Sequence, residues 1–155
     1  MTKIPFMTQV MACLLAITVL GCGTNPRSDE TPQQAQQMLM FNGHDYLFVR
    51  SPMTWPQAKA ACESFGYGLV TINNSAEETW LASFEGSSYW WLGLNDIQSE
   101  GNWVWSHGSS SYSNWTPGQP DNWNNDDCGF DNWSAGRWGD GGCDSGIYFI
   151  CESLQ

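Results

Sequence analysis

Between Gln119 and Cys128 the chain reads Gln-Pro-Asp-Asn-Trp-Asn-Asn-Asp-Asp-Cys, which places the carboxylates of Asp121, Asp126 and Asp127 within a few residues of the amides of Gln119, Asn122, Asn124 and Asn125. Carboxylate and amide oxygens are the ligands that calcium prefers, six to eight of them at roughly 2.3–2.6 Å in a flexible shell. Calcium binding is therefore the chemistry this stretch is stocked for. Asp and Asn runs also build turns that hydrogen-bond their own backbone, the plain alternative for such a segment. An EF-hand is excluded, since Trp123 stands third from Asp121 and Asp126 rather than glycine stands sixth. The acids are crowded where a cation would keep them ionised, whereas glycoside hydrolysis needs one carboxyl with a raised pKa. No nucleophile and base pair stands out, so no enzymatic activity is expected. His44 and His107 are solitary, lack zinc-ligand spacing and are read as surface polar residues.

The rest of the chain agrees with a cation partner. With 16 acidic against 5 basic residues the formal net charge is -11, which argues against nucleic acid or an anionic membrane surface as a partner held by charge. The 155 residues suffice for one domain and an appendage. Ten Trp, 16 Gly and only 14% charged residues indicate a loop-rich domain in which indoles supply much of the buried area.

Six cysteines point to disulfides if the chain is exported. Lys3 and the apolar run from Val10 to Leu20 have the length of a signal-peptide core rather than of a membrane span. The run ends in Val19-Leu20-Gly21-Cys22, which resembles a bacterial lipobox, so Cys22 is expected to carry the lipid and residues 1–21 to be removed, Cys13 with them. Gly23 after the cysteine resembles the pattern sorted to the outer membrane, giving an exported lipoprotein whose only membrane contact is its anchor. Residues 22–37 are polar, too poor in apolar side chains to offset chain entropy, and read as a tether.

The domain, 38–155, must hold the loop in place. Met38–Phe41 and Tyr46–Val49 read as strands around the turn Asn42-Gly43. Thr54 caps a helix whose buried face carries Trp55, Ala58, Cys62 and Phe65. After Gly66 and Gly68, Leu69–Ile72 reads as a strand, and Ser75 with Glu78 as the capping box of a second helix bearing Trp80, Leu81 and Phe84. Beyond Gly86 the chain is short strands, Tyr89–Leu94, Trp103–Trp105 and Ile147–Cys151, separated by a long polar region. A loop so long inside a compact domain is usually functional. Cys128 and Cys143 bracket its second half, and Cys62 and Cys151 can tie the first helix to the last strand. Trp55, Trp91, Trp103, Trp105 and Trp138 read as core, and Trp123 as a ligand platform.

These pieces in this order resemble the C-type lectin-like domain over nearly all of 41–152: Trp55, Ala58 and Cys62; Trp91-Leu92-Gly93-Leu94; Gln119-Pro120-Asp121; Asp126-Asp127-Cys128; Trp138-Gly139-Asp140 before Cys143; and Phe149-Ile150-Cys151-Glu152. The resemblance implies an α+β fold of two helices, short antiparallel sheets, a long calcium-binding loop region and two disulfides, Cys62–Cys151 and Cys128–Cys143. Closing the longer loop is worth on the order of 4 kcal/mol in the chain-entropy model. It also implies a metal site of Gln119, Asp121, Asp126 and Asp140 for Ca2+, a cis peptide between Gln119 and Pro120, and an auxiliary metal site of Asp96, Glu100, Asn122, Asp126 and Asp127.

In the family, two neighbouring sugar hydroxyls complete the calcium shell and hydrogen-bond the same side chains. Gln119, Asp121, Trp123 and Asp126 are the carbohydrate-binding residues so implied. Gln-Pro-Asp resembles the galactose-type order, since exchanging amide and carboxylate exchanges donors and acceptors around the hydroxyls, and Trp123 stands where galactose-type members place an indole against the sugar face. The expected function is calcium-dependent binding of glycans with terminal galactose or related sugars; the alternative is a module that binds a protein, with calcium structural or absent. Two features depart from the family. Gly139 stands in place of an asparagine ligand, and 121–126 lacks the glycine-rich extension that orients the indole in some galactose binders.

Overall fold

The hairpin that opens the domain turns on Asn42 and Gly43, both at positive φ (49° and 90°), the geometry a two-residue connection needs. In the computed structural model, which describes residues 36–154, it joins β1 (Gln36–Phe41) to β2 (His44–Met53). β1 starts two residues before the expected boundary, because Gln36 and Gln37 pair with Val49 and Phe48. Cys22 and the leader lie outside the described residues; within them no helix is long and apolar enough to cross a membrane.

Helix α1 (Trp55–Ser64) begins at Thr54, which accepts from the Gln57 backbone N–H while its own N–H donates to the Gln57 side chain at 3.1 Å. Trp55, Ala58 and Cys62 are buried as the spacing predicts, but Phe65 sits on the C-cap and is exposed. Strand β3 is Tyr67–Leu69, earlier and shorter than expected, and Val70 continues inward by donating to Ile150 O at 2.9 Å.

Helix α2 (Ser75–Glu85) is capped by Asn74, not by Ser75: Asn74 Oδ1 accepts from Ala76 and Glu77 N–H, both at 3.0 Å. Glu78 is thereby free of the cap, and its carboxylate accepts from Trp138 Nε1 at 2.9 Å inside the protein. Glu85 at the other end of α2 and Asp131 are buried beside it. Burial and the neighbouring Asp131 push the Glu78 carboxyl up to about 8 and the Glu85 carboxyl up to about 10.

The remaining strands are β4 (Trp90–Asn95), β5 (Val104–Trp105), β6 (Cys128–Asp131), β7 (Gly139–Gly141) and β8 (Ile147–Ser153). Rather than separate antiparallel sheets they form one mixed sheet ordered β1-β2-β8-β4-β6-β7, with β3 also on β8 and β5 also on β4. β4 and β8 run parallel and the other pairings are antiparallel.

One core packs around Tyr46, Phe48, Leu81, Trp90, Leu92, Trp138 and Ile150, and the other around Val49, Trp55, Cys62, Leu69, Trp91 and Phe149. Fully burying side chains of this size is worth about 1.5–3 kcal/mol each. The indoles remain satisfied, Trp55 Nε1 donating to Leu92 O at 2.8 Å and Trp91 Nε1 to Met53 O at 2.9 Å. Trp103 and Trp105 only flank the first core, a smaller role than expected. Both disulfides form, with Cα–Cα distances of 5.4 Å for Cys62–Cys151 and 5.2 Å for Cys128–Cys143. The second ties the segment after β7 to the start of β6, beside the acidic stretch.

Candidate calcium and sugar site

The long loop is not free-standing. Trp115 forms a parallel bridge with Trp138, Thr116 N–H donates to Trp138 O at 2.9 Å and Trp138 N–H to Asn114 O at 2.9 Å, which lays the approach to Gln119 along β7. Gln119 then meets Asp140 two residues further along that strand. The Gln119–Pro120 peptide is cis, as expected.

Gln119, Asp121 and Asp140 are knitted together. Gln119 Nε2 donates to Asp121 Oδ2 at 3.0 Å, and Asp140 N–H donates to Gln119 Oε1 at 3.2 Å. Asp140 accepts in turn from Asp121 N–H at 3.0 Å and Asn122 N–H at 2.7 Å. Asn122, Asn124 and Asn125 adopt positive φ (51°, 56° and 65°), a conformation Asn tolerates better than most residues, so the tip doubles back on itself. Trp123 is 72% exposed, with its N–H donating to Asp121 Oδ1 at 3.1 Å. Asp126 shares a groove wall with Trp123 and Asp140.

The electrostatics favour a cation. The Asp126 carboxyl is pushed up from the usual carboxylate range by burial and then by Asp140, Asp121, Asp127 and Asp144. The groups that act on Asp126 are all acidic, while Arg50 donates to Phe84 O at 2.8 Å and Lys59 pairs with Glu63. Clustered carboxylate and amide oxygens are a donor set suited to calcium. As they stand, no three His, Cys, Asp or Glu side chains among the described residues converge closely enough to enclose an ion, because backbone N–H groups draw the Asp140 oxygens. The residues fit calcium by chemistry, and holding an ion would require the Asp140 oxygens to exchange backbone donors for it.

The auxiliary set is brought together in part. Asp96 N–H donates to Asp127 O at 3.1 Å, Asp96 Oδ2 accepts from Gly101 N–H at 2.8 Å, and Asp96 Oδ1 is buried without a hydrogen-bond partner among the described residues. An orphaned carboxylate oxygen beside Asp127 is what a second cation would satisfy. Glu100 is exposed on the turn after Asp96, and Asn122 is tied to Asp140 instead.

Some neighbours of the site carry no signal in the sequence. Asp144 adds to the charge around Asp126. Tyr89, Phe130 and Trp133 wall the same groove as Trp123 and Asp126, and no spacing announces them. His44 is half-buried with Nδ1 2.8 Å from Glu152, and it lines a cleft with His107, so neither is the plain surface residue expected.

A family model described as the lectin C-type domain matches residues 51–153. The chain belongs to the C-type lectin domain family. The hepatic lectin of Gallus gallus is 35% identical over 123 residues, covering 77% of this chain and 59% of that protein. Lectin BRA-3 of Megabalanus rosa is 33% identical over 117 residues, 72% of each. This chain therefore spans little more than half the length of the hepatic lectin. Among solved structures, the mouse scavenger receptor C-type lectin carbohydrate-recognition domain superposes with a TM-score of 0.71 at 35% identity, over 76% of this chain and 95% of that one. These relatives come from animals. The C-type lectin fold and both disulfides thus stand on the family, the relatives and the geometry together.

Proposed function

We propose that this C-type lectin domain binds glycans in a calcium-dependent manner, prefers terminal galactose or related sugars, and is displayed on a lipid anchor at Cys22. Kinship with lectins supports carbohydrate binding in general; the preference rests on this chain's own residues. The observation that carries it is the knit of Gln119, Asp121 and Asp140 beside the exposed Trp123.

Gln119, Asp121, Asp126 and Asp140 would hold the ion, which supplies a positive centre for two neighbouring hydroxyl oxygens. Gln119 offers an N–H donor and Asp121 only acceptors, and this order sets which hydroxyl donates and which accepts. Trp123 presents an indole to the apolar face of a pyranose. Binding to one such site is expected near millimolar, about -4 kcal/mol, so many anchored copies would be needed for firm attachment.

Retention on a galactose resin that is lost on chelation and restored by calcium is the expected result. Retention unchanged in chelator would contradict the proposal. The second reading is a protein-binding module with calcium structural or absent, and it draws on one observation: Asp140 is already satisfied by two backbone donors without an ion.

A further inference from the structure

Gly139 stands where the family resemblance expects an asparagine, and the structure supplies the reason. A Cβ at this position would lie 3.0 Å from Cγ and 3.1 Å from Cβ of Trp133, and 3.1 Å from Cζ of Phe130. The backbone here is not in the left-handed region, so what favours glycine is space: a side chain would require Trp133 and Phe130 to give way by a few tenths of an ångström. Two aromatic rings occupy the volume a side chain at 139 would take.

Those rings belong to a larger wall. Phe130 and Trp133 meet edge to face with centroids 5.7 Å apart, Tyr89 lies 5.2 Å from Phe130 and 5.8 Å from Trp133, and Trp91 backs Phe130 at 6.0 Å. Tyr89 is 41% and Trp133 46% exposed, so the wall faces solvent. The groove it lines, about 340 Å³, is continuous with Trp123, Asp126 and Asp140. That volume lies at the small end of the range for ligand pockets, roughly 300–1,000 Å³.

The wall is held in place. Asn132 Nδ2 donates to Gly86 O and Ser88 O, both at 3.0 Å, which fastens the turn carrying Trp133 to the loop carrying Tyr89. Trp133 N–H closes that turn on Arg137 O at 2.9 Å. A fixed apolar wall needs little ordering on binding, which favours a flat ligand over a flexible one.

We propose that this groove is a second subsite, taking the aglycone of a glycoside whose sugar sits at Gln119, Asp121 and Asp140, and that the aglycone it selects is flat and apolar. The inference rests on the sugar reading of that site but not on its galactose preference. The side-chain polar groups lining the groove are the Asp126 and Asp140 carboxylates at its sugar end, the Ser145 and Tyr89 hydroxyls and the indole N–H groups; most of the remaining surface is aromatic face, which a flat apolar group covers fully.

The test is calorimetric titration, in calcium, of the full domain with methyl and 2-naphthyl β-galactosides, methyl and 2-naphthyl α-mannosides, and lactose, with indole fluorescence recorded in parallel. The naphthyl galactoside is expected to bind on the order of tenfold more tightly than the methyl galactoside and to shift indole emission. That ratio is expected to fall to near one in Trp133→Ala and to an intermediate value in Trp133→Phe; Tyr89→Ala is the second route to the same loss should Trp133→Ala fail to fold. A ratio near one in the natural protein, a ratio that survives both Trp133→Ala and Tyr89→Ala, or a gain for lactose without one for the naphthyl galactoside overturns the subsite. If only the mannoside pair binds and shows the Trp133-dependent ratio, the subsite stands and the galactose preference falls. If no glycoside binds, both fall.

Discussion

Two indoles on either side of Asp126 carry most of what is particular to this chain. Trp123 is held at its backbone by Asp121 but leaves its ring in solvent, so Trp123→Ala is expected to weaken galactoside binding by about tenfold while leaving calcium affinity within a factor of two, an effect the size of one stacking contact. Parallel calcium and sugar titrations check it; an equal fall in both would make the indole part of the loop's support instead. Exchange of the paired polar ligands, Gln119→Glu with Asp121→Asn, is expected to shift preference toward mannose-type sugars, read by competition on a galactose resin. Gly139→Ala crowds Trp133 and Phe130 and is expected to cost on the order of 1 kcal/mol, much of it recovered in the Gly139→Ala, Trp133→Ala double variant. Additive effects in that cycle would mean the two residues do not share the space.

At the scale of elements, the chain's periodicities place α1, α2 and the hairpin, because a capped helix and an Asn-Gly turn are local affairs. What they miss is set by partners distant in sequence. Ser75 and Glu78 have the spacing of a capping box, yet Asn74 takes the cap and Glu78 turns to Trp138, sixty residues on. β6 and β7 are short and glycine-bearing, and they exist as strands because the Cys128–Cys143 disulfide and the pairing of Gly129 with Asp140 hold them together. Asp131 and Glu85 look like surface acids in sequence; only the folded structure shows them to be buried. Both oxygens of Glu85 and Oδ2 of Asp131 lack a hydrogen-bond donor among the described residues, and burial beside Asp131 favours the protonated form of Glu85.

That arrangement makes stability depend on pH in a definite direction. The folded-state values of Glu78 and Glu85, about 8 and about 10, lie above those of an unfolded chain, so the folded protein binds more protons in between. Their contribution is complete below about pH 4.3, where an unfolded Glu is also protonated, and is lost as pH rises through the folded values. The melting temperature in chelator is therefore expected to fall between pH 6 and pH 9, and Glu85→Gln, neutral at every pH, to flatten that slope. A flat profile in the natural protein, or the same slope in the variant, would contradict the protonated Glu85 carboxyl.

For the whole molecule, the fold was the most legible part, since the cysteines, the tryptophans and the order of motifs constrain it together. The candidate calcium site was legible as a list of oxygen donors, and Gln119, Asp121 and Asp140 do meet. The aromatic wall was not legible, because ten tryptophans give no sign of which three or four share a surface. The proposed anchor adds a prediction at this scale: Cys22→Ser is expected to move the protein from the membrane fraction to the soluble fraction without changing monosaccharide affinity, checked by fractionation and titration of the same preparation. Reduction of Cys62–Cys151, which closes a separation of 89 residues, is expected to cost on the order of 4 kcal/mol, read by denaturant unfolding.

The central claim, calcium-dependent recognition of galactose-type sugars at Gln119, Asp121 and Asp140, is tested most directly by a glycan array probed with and without calcium. The account predicts signals on terminal galactose and related sugars that vanish in chelator and return with calcium. Signals indifferent to calcium, or confined to mannose-type glycans, would contradict it.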